Sequence, residues 1–143
     1  MVKIEIERIG DGFHLEAANE QGNVLQMDAS PDVGGTNLGM RPMQVVLSAF
    51  GGCSTIDIIS ILKKQRQDLL DIKITLTGER EEGVTPSVYK KIHAHFKLFG
   101  NLDEEKVYKA VSLSVEKYCS VGRMLEKTAI ITYSFEIIRP GDH

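Results

Sequence analysis

The chain has 143 residues, 42 % apolar and 26 % charged, which is the size of one domain and the composition of a globular one, so global disorder is excluded. Its 17 Lys and Arg stand against 20 Asp and Glu for a net charge of −3, and no run of like charge exceeds four residues. With no tryptophan, four tyrosines and five phenylalanines, it offers neither the basic stripe nor the stacking platforms of a nucleic-acid binder.

The first stretch alternates Val2, Ile4 and Ile6 with Lys3, Glu5 and Glu7, which predicts a strand. It lacks the uninterrupted apolar core of a signal peptide. Gly10-Asp11-Gly12 marks a turn, and Phe13, Leu15 and Ala17 mark a second strand. A second turn over Asn19–Asn23 leads to a third strand through Leu25 and Met27. Three short strands with tight links make an antiparallel meander.

A glycine-rich segment, Ser30 to Arg41, follows and reads as a flexible entry loop. Its Gly34-Gly35-Thr36-Asn37-Leu38-Gly39 lacks the endings and spacings of a phosphate cradle. Pro42 suits the first turn of a helix, where its missing N–H costs nothing. The window Met43 to Leu62 is apolar on most faces and long enough to span a bilayer. It also holds Asp57, which costs about 3 kcal/mol in mid-membrane. A helix buried inside a protein fits better, and a second copy of the chain is expected to help bury it. The helix turns polar at Lys63.

Ile72, Ile74 and Leu76 predict a strand with one wet face. Its partner strand has Ile92, Ala94, Phe96 and Leu98 inward, and Tyr89, Lys91, His93, His95 and Lys97 outward. A helix follows Gly100-Asn101, with Asp103, Glu104 and Glu105 where the dipole favours acids. Val107, Val111, Ser114, Val115 and Tyr118 mark its inner face. A short piece after Cys119 leads to a last strand through Ala129, Ile131, Tyr133, Phe135 and Ile137, and 139–143 reads as a frayed tail. The order βββ-α-ββ-α-β describes a single α+β domain over 1–143, its sheet largely antiparallel.

Two residues carry the chemistry. Cys53 follows Gly51-Gly52, and two glycines in a helix cost roughly 1 kcal/mol each relative to Ala. Either they admit a close-packed neighbour, or a new helical segment starts at Cys53. The second case would place Cys53 at free N–H groups, which lower a thiol pKa from about 8.5. A small buried core thiol is the plain alternative. Cys119 closes the second helix, 66 positions on. One thiol oxidised to a sulfenic acid and resolved by the other as a disulfide requires their Cα atoms within about 7 Å. Asp57 lies one turn after Cys53, and its plain role is to bond a backbone group or reach water. His93-x-His95 has a metal-ligand spacing but lacks a third ligand, so no metal is assigned. Arg41, just before the helix, is the candidate to hold a substrate oxyanion.

Pro42-Met43-Gln44-Val45-Val46-Leu47, Gly51-Gly52-Cys53-Ser54 and Ile56-Asp57 resemble the central-helix signature of the OsmC/Ohr family, the osmotically inducible and organic-hydroperoxide-resistance proteins. Lys117-Tyr118-Cys119-Ser120-Val121 with Leu125-Glu126-Lys127 resembles the second cysteine motif of its YhfA-like branch. The resemblance covers nearly the whole chain. It implies an OsmC-like fold, with antiparallel sheets wrapped around central helices in an intertwined homodimer. It implies a thiol peroxidase of oxidative-stress defence, in which Cys53 attacks an organic hydroperoxide and Cys119 resolves the sulfenic acid. It further implies an enzyme reduced by a dithiol that is lipoyl-type in the Ohr branch and needing no cofactor; separately, two cysteines with no export signal suggest a cytoplasmic chain with its thiols reduced. By position, Arg41, Met43 and Gln44 would bind substrate. Two positions depart from the family pattern. Met43 stands where active members carry a glutamate, and Ile9 stands near their strand arginine, with Arg8 one residue off and expected on the other face. The alternative function is a small-molecule binding or redox-sensing dimer of the same fold.

Overall fold

The structure, a computed structural model, describes residues 1–141; Asp142 and His143, the end of the expected frayed tail, lie outside the described residues. The alternating N-terminal segments form β1 (Ile4–Arg8), β2 (Leu15–Asn19) and β3 (Val24–Met27). They pair antiparallel in the order β1-β2-β3, as their short turns dictate. At the second turn Asn19 Oδ1 accepts from the backbone N–H groups of Gln21 and Asn23, and Gly22 takes φ +85°. Side chains directly opposite one another share a face. Ile6 pairs with Ala17, and Ala17 with Leu25, while Arg8 pairs with Leu15 and Leu15 with Met27. Arg8 therefore stands on the apolar face of the meander. Of this face only Ala17 is buried; Ile4 and Ile6 remain 53 % and 56 % exposed.

The glycine-rich segment is fastened by one carboxylate. Asp28, 2 % exposed, accepts from the N–H groups of Ala29, Thr36 and Leu38 and from Thr36 Oγ1. These bonds, led by that from Leu38, hold its pKa below the usual value against the opposing pull of burial. The loop is an anchored one, which its glycine content alone does not predict.

α1 runs unbroken from Pro42 to Lys64, and the chain divides near its start into two compact units, Met1–Val46 and the residues from Leu47 onward. In the second unit α1 contributes Phe50, Ser54, Ile58 and Leu62 to a core shared with Ile92, Ala94, Phe96 and Leu98 of the sheet. The opposite side of α1 is bare, with Ile56 69 % and Ile59 43 % exposed. The helix is apolar all round, and the chain itself covers one side. By length and hydropathy alone it would suffice to cross a bilayer.

β4 (Asp71–Arg80) and β5 (Tyr89–Phe99) form an antiparallel hairpin. A register shift between Glu79 and Arg80 changes the phase of the pairing. Tyr89 consequently turns inward and is 7 % exposed, against the outward position expected from alternation. α2 (Glu104–Leu113) is capped by Asp103, which accepts from Lys106 N. A π turn over Ser114–Tyr118 and a short helix α3 (Ser120–Leu125) then lead to β6 (Ile130–Ile138). β6 pairs parallel to β5, because a helical crossover rather than a hairpin connects them. The second sheet has the order β4-β5-β6. Arg139, just past β6, donates from Nη2 to the Leu102 carbonyl.

Candidate functional site

The two cysteines are free thiols in the second unit, Cys53 half-buried and Cys119 buried. Cys53 lies in the middle of α1, so of the two readings of Gly51-Gly52 the close-packed neighbour holds and the helix start does not. Gly51 explains the continuity: a Cβ on it would meet Leu76 Cδ1 at 2.5 Å. It is the close-packed neighbour that requires that glycine; at Gly52 a Cβ would meet nothing within 4 Å.

The thiol at a helix start is Cys119. It caps α3, its Sγ accepting from Gly122 N at 3.3 Å. The π turn puts it there. The extra residue in the turn, closed by Cys119 N donating to Ser114 O at 2.8 Å, rotates Cys119 onto the inner face. Tyr118, expected on that face, is 50 % exposed. π turns are rare and often mark functional positions.

A small polar network surrounds Cys119. Ser54 Oγ donates to its sulfur at 3.4 Å, and Ser114 Oγ donates to the Ser54 carbonyl at 2.8 Å. Both serines are fully buried. Burial pushes the Cys119 thiol up; the hydrogen bonds from Ser54 and Gly122 offset part of that, and the Cys53 thiol beside it pushes it up again. The fold therefore brings the two thiols together, one reachable from solvent and one buried.

Neither serine was singled out as functional by its sequence position. Ser114 carried a signal, a hydroxyl on an otherwise apolar helix face. Ser54 carried a weaker one as the polar neighbour of Cys53.

The other candidates have local duties. Gln44 Oε1 accepts from Arg41 N at 3.0 Å, which is the third-residue half of a capping box at the start of α1. Arg41 Nη1 donates to Asn37 Oδ1 and to the Gly39 carbonyl, both at 2.9 Å. Met43 is half-buried. Of the two duties expected of Asp57, a backbone bond or contact with water, Oδ2 makes no backbone bond: it is buried without a hydrogen-bond partner among the described residues. His93 bonds Thr132 and Ser134, and His95 bonds Ser134 and Glu136. No group of three or more His, Cys, Asp or Glu side chains placed to hold a metal occurs among the described residues.

The sequence pattern of the OsmC-like protein family matches residues 35–134, from the glycine-rich loop through both thiols into β6. This chain belongs to the OsmC-like protein family. It is 50 % identical over 129 residues to Protein YhfA of Escherichia coli K12, covering 90 % of this chain and 92 % of that protein. A crystal structure of a hypothetical protein from Aquifex aeolicus VF5 is similar at 32 % identity, with a TM-score of 0.83 and 97 % of both chains covered. The organic hydroperoxide resistance protein OsmC of Legionella pneumophila shares the fold at 15 % identity, with a TM-score of 0.71 over 95 % of this chain and 96 % of that one. The OsmC-like frame accounts for the element order, including the long α1 that carries Cys53.

Proposed function

We propose that this OsmC-like chain is a cytoplasmic thiol peroxidase that reduces organic hydroperoxides, with Cys53 attacking and Cys119 resolving. The observation that carries this reading is the paired free thiols of unequal exposure. A peroxide arriving from solvent meets Cys53 first, while Cys119 waits behind it with its sulfur held by Ser54 and Gly122. The Cys53 thiolate attacks the O–O bond; the sulfur becomes a sulfenic acid and the alkoxide leaves as the alcohol after taking a proton. The Cys119 thiolate then attacks the Cys53 sulfur, a disulfide forms and water leaves. An external dithiol, lipoyl-type as in the Ohr branch, returns both sulfurs to thiols. The cycle uses no cofactor.

In this reading the whole chain acts as one domain within an intertwined homodimer. The bare side of α1 and the uncovered apolar face of the meander support that assembly, since soluble proteins seldom leave such faces open. Arg41, Met43 and Gln44 are then the substrate-binding residues at the start of α1. The arginine that orients the peroxide is Arg41 or Arg8, the latter presented on an apolar face.

Intact-mass spectrometry after one equivalent of cumene hydroperoxide tests the reading. The wild-type protein loses two hydrogens and Cys53→Ser does not. Cys119→Ser instead accumulates added oxygen on Cys53. An unchanged wild-type mass overturns it. Met43 in place of the family's glutamate favours a second reading, a ligand-binding or redox-sensing dimer, which would show ligand-dependent melting shifts without turnover.

A further inference from the structure

His93 and His95 have no part in the thiol chemistry. Alternation along β5 sends Ile92, Ala94 and Phe96 into the core and leaves the two imidazoles half-buried on the sheet face turned away from it. β6 runs alongside, with Thr132 opposite His93, Ser134 opposite His95 and Glu136 opposite Lys97. Each ring spans two β6 side chains. His93 meets Thr132 Oγ1 through Nδ1 at 2.7 Å and Ser134 Oγ through Nε2 at 2.9 Å. His95 meets Ser134 Oγ through Nδ1 at 2.7 Å and Glu136 Oε1 through Nε2 at 3.1 Å. One nitrogen of each ring thus converges on the same hydroxyl. Spacing alone assigns no metal to this pair; that convergence is what the sequence does not show.

The protons follow from donor and acceptor capacity. A carboxylate only accepts, so His95 donates from Nε2 to Glu136, and its Nδ1 keeps the lone pair. The single Ser134 proton goes to that lone pair, and His93 donates from Nε2 to the Ser134 oxygen. Thr132 accepts as readily as it donates, so the His93 proton can pass to Nδ1 and free the Nε2 lone pair. Both imidazoles then aim a lone pair at one spot, each with its far N–H held by a β6 oxygen. Such outer hydrogen bonds orient histidine metal ligands. Imidazole donors suit copper, nickel and zinc, whereas magnesium and calcium take oxygen. No third His, Cys, Asp or Glu completes the set among the described residues, so the remaining positions fall to water and stay open to a ligand. Lys97, the next outward residue of β5, lays its ammonium 5.9 Å from the centre of the Phe99 ring, further along the strand from His95. We propose that His93 and His95 chelate a divalent late transition-metal ion, which takes the place of the Ser134 proton between them, with Glu136 as the positioning residue. The site uses neither thiol, so it stands apart from the peroxidase reading.

Calorimetric titration of the reduced full-length protein with nickel chloride tests it, at about pH 7.5 where an ordinary imidazole is neutral. One saturable event per chain is expected, and none with magnesium chloride. His93→Gln and His95→Gln are each expected to abolish saturation over the same concentration range. Glu136→Leu is expected to weaken binding about tenfold, and Glu136→Gln, which still accepts from Nε2, to recover most of it. The His95 and Glu136 side chains are 36 % and 47 % exposed, so their variants should keep the fold, which circular dichroism checks. Absence of a saturable event overturns the proposal. An event that either histidine variant leaves intact also overturns it, because the ion then sits on the thiols or elsewhere. Equal binding in Glu136→Leu overturns it too, by showing an incidental pair of surface imidazoles.

Discussion

Ser54 donates from Oγ to the Cys119 sulfur at 3.4 Å, from the residue next to Cys53 and on the opposite element. The bond favours the thiolate of a group that burial holds in the thiol form. Disulfide closure in a peroxide-treated sample should therefore quicken as pH rises above neutrality, because the raised Cys119 thiol must ionise to attack. Ser54→Ala removes the only hydroxyl donor to that sulfur among the described residues. The expected result is a pH–rate profile displaced to higher pH, with a stability loss of about 0.5–1.5 kcal/mol. Stopped-flow closure rates across pH check it, and superimposable profiles would show that Ser54 merely fills space.

The Gly51 backbone and the Leu76 side chain compete for the same volume. A Cβ at Gly51 would lie 2.5 Å from Leu76 Cδ1. Gly51→Ala gains about 1 kcal/mol of helix propensity and loses about 1–3 kcal/mol to overpacking, so a net loss in urea unfolding is expected. Leu76→Val removes the offending methyl position. The double variant should recover part of the loss, a coupling that a double-mutant cycle reads directly. Strict additivity of the two changes would mean that Leu76 yields freely to the new methyl.

The fold was legible where local chemistry decides it. Alternation found the strands, Pro42 the start of α1, and Asp103 the opening of α2, because each signal lies within a few residues. Tyr89 was misplaced because the register shift at Glu79/Arg80 belongs to a pairing between strands and has no local signature. The reach of the site failed at the same level. Cys53 and Cys119 were recognisable as a pair, yet which of them caps a helix depended on a π turn. That turn places Cys119 rather than Tyr118 against α1, and periodicity at 3.6 residues does not foresee it.

The anchored loop carries its own pH dependence. The Asp28 carboxyl titrates below its ordinary value because Leu38, Ala29 and Thr36 bond its charged form. A depressed folded-state pKa contributes stability that is present above the unfolded value and lost as pH falls through the folded one. The protection factors of the Thr36 and Leu38 amides, exchange rates corrected for the intrinsic pH dependence of the unfolded chain, should accordingly be high at neutral pH and fall on acidification below the ordinary carboxylate range. Asp28→Asn should show the lowered protection already at neutral pH. Equal protection in the variant would mean that the loop is held by something other than this carboxylate.

Ile56 is the most exposed large apolar side chain of α1, at 69 %. An isoleucine open to water in a chain by itself is replaceable at little cost, within about 0.5 kcal/mol. In a homodimer that closes over this face, the same position is desolvated, and a lysine there buries an unpaired ammonium at several kcal/mol. The expected result for Ile56→Lys is a folded monomer by light scattering, where the wild-type protein runs as a dimer. Circular dichroism of the variant should remain that of the wild type, since Ile56 faces away from the chain's own core. A dimer that survives the lysine would exclude this side of α1 from the interface and leave the meander, with Ile4, Ile6 and Arg8 on one face, as the surface through which two copies meet.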